Sequence, residues 1–89
     1  MVARQVTIQN ETGLHARPAS EFVKAANRFQ SAIKIRKDEK TVADGKSILG
    51  LMTMALSKGT VITIEAEGAD EQQAVDALVQ LIESKFGEE

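Results

Sequence analysis

Hydrophobic and polar residues alternate along several short stretches of the chain, which is typical of β-strands with one buried face. At the start of the chain, Val2, Val6 and Ile8 alternate with small or polar residues. Farther along, Ile33 and Ile35 alternate with basic side chains. This period predicts four strands, at residues 2–8, 33–36, 41–43 and 60–67.

Two helices are indicated between these strands, because hydrophobic residues there recur every three or four positions. The first covers Ala19–Phe29, and Pro18 falls in its first turn, where a missing N–H costs no intrahelical hydrogen bond. The second helix runs from Ser47 to about Leu56 and is closed by Lys58-Gly59. The Ser47 hydroxyl is suited to cap its first turn.

A third helix is predicted near the C-terminus, where Asp70 and Gln73 are spaced as a capping box. Its buried stripe is predicted to consist of Val75, Leu78, Leu81, Ile82 and Phe86. The element order is then β-α-β-β-α-β-α, without a linker or repeat, and we expect residues 1–89 to form one domain. This pattern predicts a two-layer α+β fold, with the helices on one face of a mainly antiparallel sheet. A ferredoxin-like topology is the nearest alternative.

The composition fits one small domain, since 43% of the 89 residues are hydrophobic. No cysteine is present, which excludes disulfides and thiolate chemistry. The net charge of -2 and the lack of Trp and Tyr disfavour nucleic-acid binding. A basic run at residues 34–40 is interrupted by Asp38 and Glu39, as in a solvated strand edge and turn. Without a signal-like segment or an apolar span, we expect a cytoplasmic protein that does not insert into membranes.

His15, the only histidine of the chain, lies just before the first helix. A helix N-terminus presents unpaired N–H groups and the positive end of the helix dipole, which favour an anion nearby and a neutral, nucleophilic imidazole. Arg17 adds a guanidinium group that fits phosphoryl oxygens. The alternative is an ordinary surface histidine. Leu14 is interpreted as a hydrophobic staple or a partner contact.

Ser47 begins the second short block of interest. Gly45-Lys46-Ser47 imitates the end of a nucleotide-binding loop, but the residue five positions before Gly45 is Lys40 rather than glycine. A short helical turn does not bury all the hydrophobic residues that follow, so some of them are expected to form an exposed docking surface. One histidine without cysteine predicts no metal site, and no nucleophile-elbow sequence indicates a serine hydrolase.

The chain resembles HPr, the family of histidine-containing phosphocarrier proteins of the bacterial phosphoenolpyruvate-dependent phosphotransferase system. Two blocks carry the resemblance: Gly13-Leu14-His15-Ala16-Arg17-Pro18-Ala19 is similar to the family's active-site signature, and Gly45-Lys46-Ser47-Ile48-Leu49-Gly50-Leu51-Met52 is similar to its regulatory-serine motif. Asp44-Gly45 makes the chain between His15 and Ser47 one residue longer than in typical members. The resemblance implies an open-faced two-layer sandwich with strand order 1-4-2-3.

The resemblance also implies a function. Phosphorylated enzyme I donates a phosphoryl group, derived from phosphoenolpyruvate, to Nδ1 of His15, and the carrier passes it to sugar-specific EIIA-type acceptors. The Ala16 and Arg17 amides and the Arg17 side chain would hold the phosphate, without a further cofactor. Ser47 would be the regulatory phosphorylation site, acted on by a serine kinase and phosphorylase. Such a carrier is a covalent substrate rather than a free-standing enzyme.

The partner surface is likewise implied by the resemblance. Ile48, Leu49 and Met52 would form its apolar part. From the residues themselves, we expect Leu14 to be a partner contact and Arg17 and Lys24 to supply the polar rim. We expect a monomer. Two alternatives stay open: a nitrogen-branch regulatory phosphocarrier, and a noncatalytic regulatory module that binds a transcription regulator through Ser47 and the adjoining apolar residues.

Overall fold

The alternating and helical patterns produce a sheet covered by helices in the computed structural model, which describes residues 1–9, 13 and 16–84. Within these residues, the strands are β1 (Val2–Thr7), β2 (Ala32–Arg36), β3 (Val42–Asp44) and β4 (Val61–Glu67). The helices are α1 (Ala16–Ala26), α2 (Ile48–Thr53) and α3 (Glu71–Glu83). The predicted element order is confirmed.

The four strands form one antiparallel sheet in the order β1-β4-β2-β3. Val6 pairs with Ile62, and Ile35 pairs with Ile64, so the buried positions of neighbouring strands lie side by side on one face. This face packs against the helices, with α3 in contact with β1 and β4. The open-faced sandwich with strand order 1-4-2-3 is confirmed, and the ferredoxin-like alternative is not.

The core lies between the sheet and the helices. Phe22 of α1, Ile64 of β4 and Leu78 of α3 are fully buried there. Burial of each large apolar side chain stabilises the fold by roughly 1.5–3 kcal/mol. In the predicted stripe of α3, Leu81 is only partly buried at the edge of this core, and Phe86 lies outside the described residues. The other three stripe residues are buried as predicted.

The second helix ends earlier than predicted. α2 stops at Thr53, and Ala55 takes a left-handed conformation with φ of 54°, so Leu56 lies beyond the helix. Lys58-Gly59 therefore does not close α2. Instead, the Gly59 N–H donates to the Ile8 carbonyl at 2.8 Å, which extends the pairing of β1 and β4. Gly59, interpreted from the sequence as the end of a helix, therefore takes part in strand pairing.

The predicted capping box at α3 is wrong. Asp70 occupies the N-cap position but makes no side-chain cap hydrogen bond. Its carboxylate instead accepts hydrogen bonds from the Gln30 N–H at 2.9 Å, the Ser31 N–H at 3.0 Å and the Ser31 hydroxyl. The Ser31 hydroxyl and the Gln30 amide lower the pKa of Asp70. Asp70 therefore ties the start of α3 to the segment between α1 and β2.

Candidate functional site

The start of α1 is the first part of the candidate site. The helix runs from Ala16 to Ala26, whereas the predicted amphipathic segment covers residues 19–29. The buried Pro18 lies in its first turn, as predicted, together with Arg17. No acidic residue occupies this turn. The backbone N–H groups of a first helical turn have no intrahelical acceptor, which makes this end suited to an anion. His15 and Leu14 lie outside the described residues.

Gly13 is the described residue that precedes α1 in the chain, and its backbone is closely packed. Its φ of +64° is in the left-handed region, and a Cβ at this position would lie 2.9 Å from the Ser57 Cα and closer still to the Leu56 carbonyl oxygen. Only glycine allows this approach without strain. The backbone at Gly13 is therefore packed against the segment that links α2 to β4.

Arg17 is available to a partner from solvent. Its side chain is 84% exposed, and its Nε lies 3.7 Å from the Glu21 carboxylate one turn along α1. An exposed ion pair of this kind contributes little to stability, so an incoming anion can displace it. Glu21 is absent from the residues chosen by sequence, although its i,i+4 spacing from Arg17 signals such a pair. Lys24 is exposed on the same helix face, one further turn along.

Ser47 is the N-cap of α2, as predicted. Its backbone is extended, and its Oγ accepts a hydrogen bond from the Gly50 N–H at 3.0 Å. The preceding turn is anchored to β2, since the Gly45 N–H donates to the Ile33 carbonyl at 2.8 Å. A Cβ on Gly45 would lie 2.5 Å from the Ile33 Cγ2, so the turn that contains Asp44-Gly45 is tightly packed.

α2 divides its hydrophobic residues between the core and solvent. Leu51 is fully buried, whereas Ile48, Leu49 and Met52 are 42%, 75% and 44% exposed. We call these three exposed residues the α2 apolar surface. Their exposure agrees with the sequence expectation and brings apolar groups to the surface of a helix that contacts α1. Exposed apolar side chains grouped on one element are typical of a protein-protein contact.

The further features of residues 1–9, 13 and 16–84 concern metal sites, membrane-spanning helices and cavities. No group of three or more His, Asp or Glu side chains among them is placed to hold a metal ion. No helix in this part of the chain is long and apolar enough to cross a membrane. A cavity of about 460 Å³ lies at the β2–β3 edge and is lined by Ala32, Ile33, Lys34, Val42, Ala43, Asp44 and Lys46.

Comparison with known proteins identifies a family. The family model described as "PTS HPr component phosphorylation site" matches residues 2–84. The HPr-like protein Crh of Halalkalibacterium halodurans is 52% identical over 85 residues, covering 96% of this chain and 100% of that protein. The phosphocarrier protein HPr of Neisseria meningitidis is 46% identical over 88 residues, covering 99% of this chain and 98% of its own length. An HPr crystal structure from Thermoanaerobacter tengcongensis is 52% identical, with a TM-score of 0.96 over 100% of this chain and 99% of that chain.

Dimers occur among these similar proteins. A second structure from Thermoanaerobacter tengcongensis is described as an HPr dimer and is 48% identical, with a TM-score of 0.78 over 99% of this chain and 100% of that chain. Crh of Bacillus subtilis, 45% identical with a TM-score of 0.76, covers 96% of this chain and 97% of its own; it is described as a dimer with a swapping domain. The expected monomer therefore stays a prediction for this chain.

Proposed function

Because the chain belongs to the HPr family of the phosphoenolpyruvate-dependent phosphotransferase system, we propose that it accepts a phosphoryl group on His15 from phosphorylated enzyme I and passes it to EIIA-type acceptors. The observation that supports this proposal most strongly is the start of α1 at Ala16, directly after His15, with Arg17 exposed in the first turn. A nucleophile, the N–H groups of a first helical turn and a guanidinium group thus follow one another in the chain.

The proposed chemistry is the transfer of a phosphoryl group from enzyme I to a ring nitrogen of His15. The neutral His15 ring attacks the phosphorus of the donor's phosphoryl group through Nδ1, and the new N–P bond forms as the bond between this phosphorus and enzyme I breaks. The Ala16 and Arg17 amides and the Arg17 guanidinium stabilise the charge on the phosphoryl oxygens. Such transfer depends mainly on position and charge, so the carrier needs no cofactor of its own and acts as a covalent substrate.

Docking is assigned to the α2 apolar surface, together with Leu14, Arg17 and Lys24. The three apolar side chains would be buried by enzyme I or an acceptor, while the two exposed cations of α1 face acidic groups on the partner. Contact between α1 and α2 keeps both groups of residues on adjacent elements. The carrier would act in the cytoplasm as a monomer.

Ser47 is proposed as a regulatory phosphorylation site for a serine kinase and phosphorylase. Its position at the start of α2 lets phosphate oxygens replace Oγ as acceptors for the Gly50 N–H, so modification need not unfold the helix. A dianionic group beside Ile48 and Leu49 would instead weaken docking of an acidic partner. The modified form could bind a transcription regulator.

A second candidate is a regulatory role without sugar transport. The 52% identity to the Crh protein favours it, since the Bacillus subtilis Crh is described as a catabolite repression protein. In this case Ser47 and the α2 apolar surface would be the functional groups. A nitrogen-branch phosphocarrier, which uses His15 for regulation, is the further alternative within the family.

Phosphoryl transfer in vitro tests the proposal. We expect the protein to accept a phosphoryl group when incubated with enzyme I and phosphoenolpyruvate, and we expect His15→Ala to abolish this. Arg17→Ala should slow transfer while its circular dichroism spectrum stays that of the original protein, because Arg17 is exposed. Full transfer to the folded His15→Ala protein would overturn the assignment of His15.

A further inference from the structure

The methionines of the described chain differ sharply in exposure. Met52 on α2 is 44% exposed, and Met54, two residues later, is 4% exposed and belongs to the core. Met1 is exposed as well, but its amino group lies 3.1 Å from Glu71 at the start of α3, on a different element. Only Met52 thus combines exposure with a place in the α2 apolar surface.

The immediate neighbours of Met52 on α2 are hydrophobic. Ile48 and Leu49 lie four and three residues earlier, on the same side of the helix, and both are exposed. The thioether of Met52 therefore lies at the C-terminal end of an apolar strip that water and small oxidants can reach. A hydroperoxide is small enough to reach the sulfur of a side chain with this exposure.

Oxidation of the thioether would place a polar group within this apolar surface. The sulfur attacks hydrogen peroxide, an S–O bond forms as the O–O bond breaks, and the peroxide leaves as water. The sulfur is oxidised by two electrons, and the product is a polar sulfoxide. Methionine sulfoxide reductases reverse the change, so the modification can act as a switch.

The fold would tolerate the sulfoxide at Met52 but not at Met54. Met52 is 44% exposed, so the new polar group can reach water in the unbound protein. Met54 packs in the core, where a sulfoxide would lack a hydrogen-bond partner. Oxidation at Met52 therefore acts on the bound state: a partner that covers the α2 apolar surface would have to desolvate the sulfoxide.

We propose that Met52 is a site of reversible oxidation by hydroperoxides, and that its sulfoxide weakens docking of phosphotransferase partners on the α2 apolar surface. This inference rests on the proposed function, because it assigns a redox control to the same docking surface. We expect the affinity to fall about tenfold, because burial of a methionine side chain on binding strengthens affinity by a factor of about that size.

The test measures affinity for enzyme I before and after treatment with hydrogen peroxide. Peptide mass spectrometry then locates the added oxygen, and circular dichroism verifies the fold. For the original protein we expect oxygen at Met52 and Met1, none at Met54, and affinity reduced about tenfold. Treatment with a methionine sulfoxide reductase should restore the affinity.

Three variants separate Met52 from other causes. Met52→Leu should show the same affinity before and after peroxide, whatever its starting value, although Met1 is still oxidised. Met54→Leu should keep the peroxide response of the original protein. Met52→Gln, which places a polar group of similar length at this position, should bind weakly without any oxidant.

The outcomes distinguish this inference from the proposed function. If the untreated protein neither binds enzyme I nor accepts a phosphoryl group, the proposed function fails. If the untreated protein binds and accepts, but the protein with oxidised Met52 binds equally well, the redox inference alone is overturned. A peroxide response that persists in Met52→Leu would also contradict it.

Discussion

The cap at Ser47 gives the sharpest test of how the structure supports the docking surface. Ser47→Ala removes the Oγ that accepts from the Gly50 N–H at 3.0 Å, in a partly buried position. Loss of an N-cap side chain typically costs about 1 kcal/mol. α2 has only six residues, so one missing cap affects a large share of its hydrogen bonds.

This cost converts into a measurable shift in thermal unfolding. For a domain of this size, about 1 kcal/mol corresponds to a decrease in Tm of roughly 4–8 °C. Ser57→Ala is the matched control, because the Ser57 hydroxyl is exposed and lies 3.4 Å from the Thr60 hydroxyl, a long contact that contributes little. We expect the control to stay within about 0.5 kcal/mol of the original protein.

Ser47→Asp separates folding from docking. A carboxylate at the N-cap can still accept from the Gly50 N–H, and a negative charge at a helix N-terminus is favourable, so the Tm should stay near that of the original protein. Phosphoryl transfer from enzyme I should nevertheless slow, because the charge lies beside Ile48 and Leu49. The reasoning about the cap would be refuted if Ser47→Ala unfolded at the same temperature as Ser57→Ala.

Two further variants test the contacts that frame the site. Gly13→Ala should lower the free energy of unfolding by more than about 1 kcal/mol, because strain at φ of +64° adds to the close approach to Ser57. Gly59→Ala is the control, since φ there is +92° but no atom lies within 4 Å. In urea titrations, Gly13→Ala should lose more stability than Gly59→Ala. At Asp70, hydrogen bonds from Ser31 and Gln30 lower the pKa in the folded protein, so their stabilisation is present above the unfolded pKa of about 3.9 and is lost as the pH falls through the folded value. Asp70→Asn should therefore be less stable at pH 7 and lose less stability on acidification to pH 3; an unchanged acid dependence of the urea midpoint would contradict this assignment.

Local signals in the sequence were sufficient for most of the elements. The strand period and the helical spacing gave the correct order, and the Ser47 hydroxyl was correctly expected to cap α2. The element order and the Ser47 cap could be predicted because each depends on residues that lie within one helical turn or one strand of each other. The strand order came from the family resemblance instead, since local patterns do not state which strands pair.

The failures of sequence reasoning involve partners that are distant in the chain. Asp70 and Gln73 have the spacing of a capping box, but the Asp70 carboxylate accepts from three donors in Gln30 and Ser31, about forty residues earlier. Gly59 signalled the end of a helix, yet its N–H pairs with Ile8 across the sheet. Spacing alone does not reveal a distant hydrogen-bond partner, donor or acceptor, that competes with the local one.

The candidate site was predicted in part. The exposure of Ile48, Leu49 and Met52 follows from the short helix, which can turn only Leu51 into the core. The ion pair between Arg17 and Glu21 was visible in the spacing but was not used. The assignment of His15 stays a prediction, since this residue lies outside the described part of the chain.

Mass spectrometry of the phosphorylated protein tests the central claim most directly. The protein is incubated with enzyme I and phosphoenolpyruvate, kept at alkaline pH to preserve phosphohistidine, and digested. We expect one added phosphoryl group on the peptide that contains His15, and its loss when an EIIA-type acceptor is added. An unmodified His15 peptide after complete phosphorylation of enzyme I, or a phosphoryl group that no acceptor removes, would contradict the proposed carrier function.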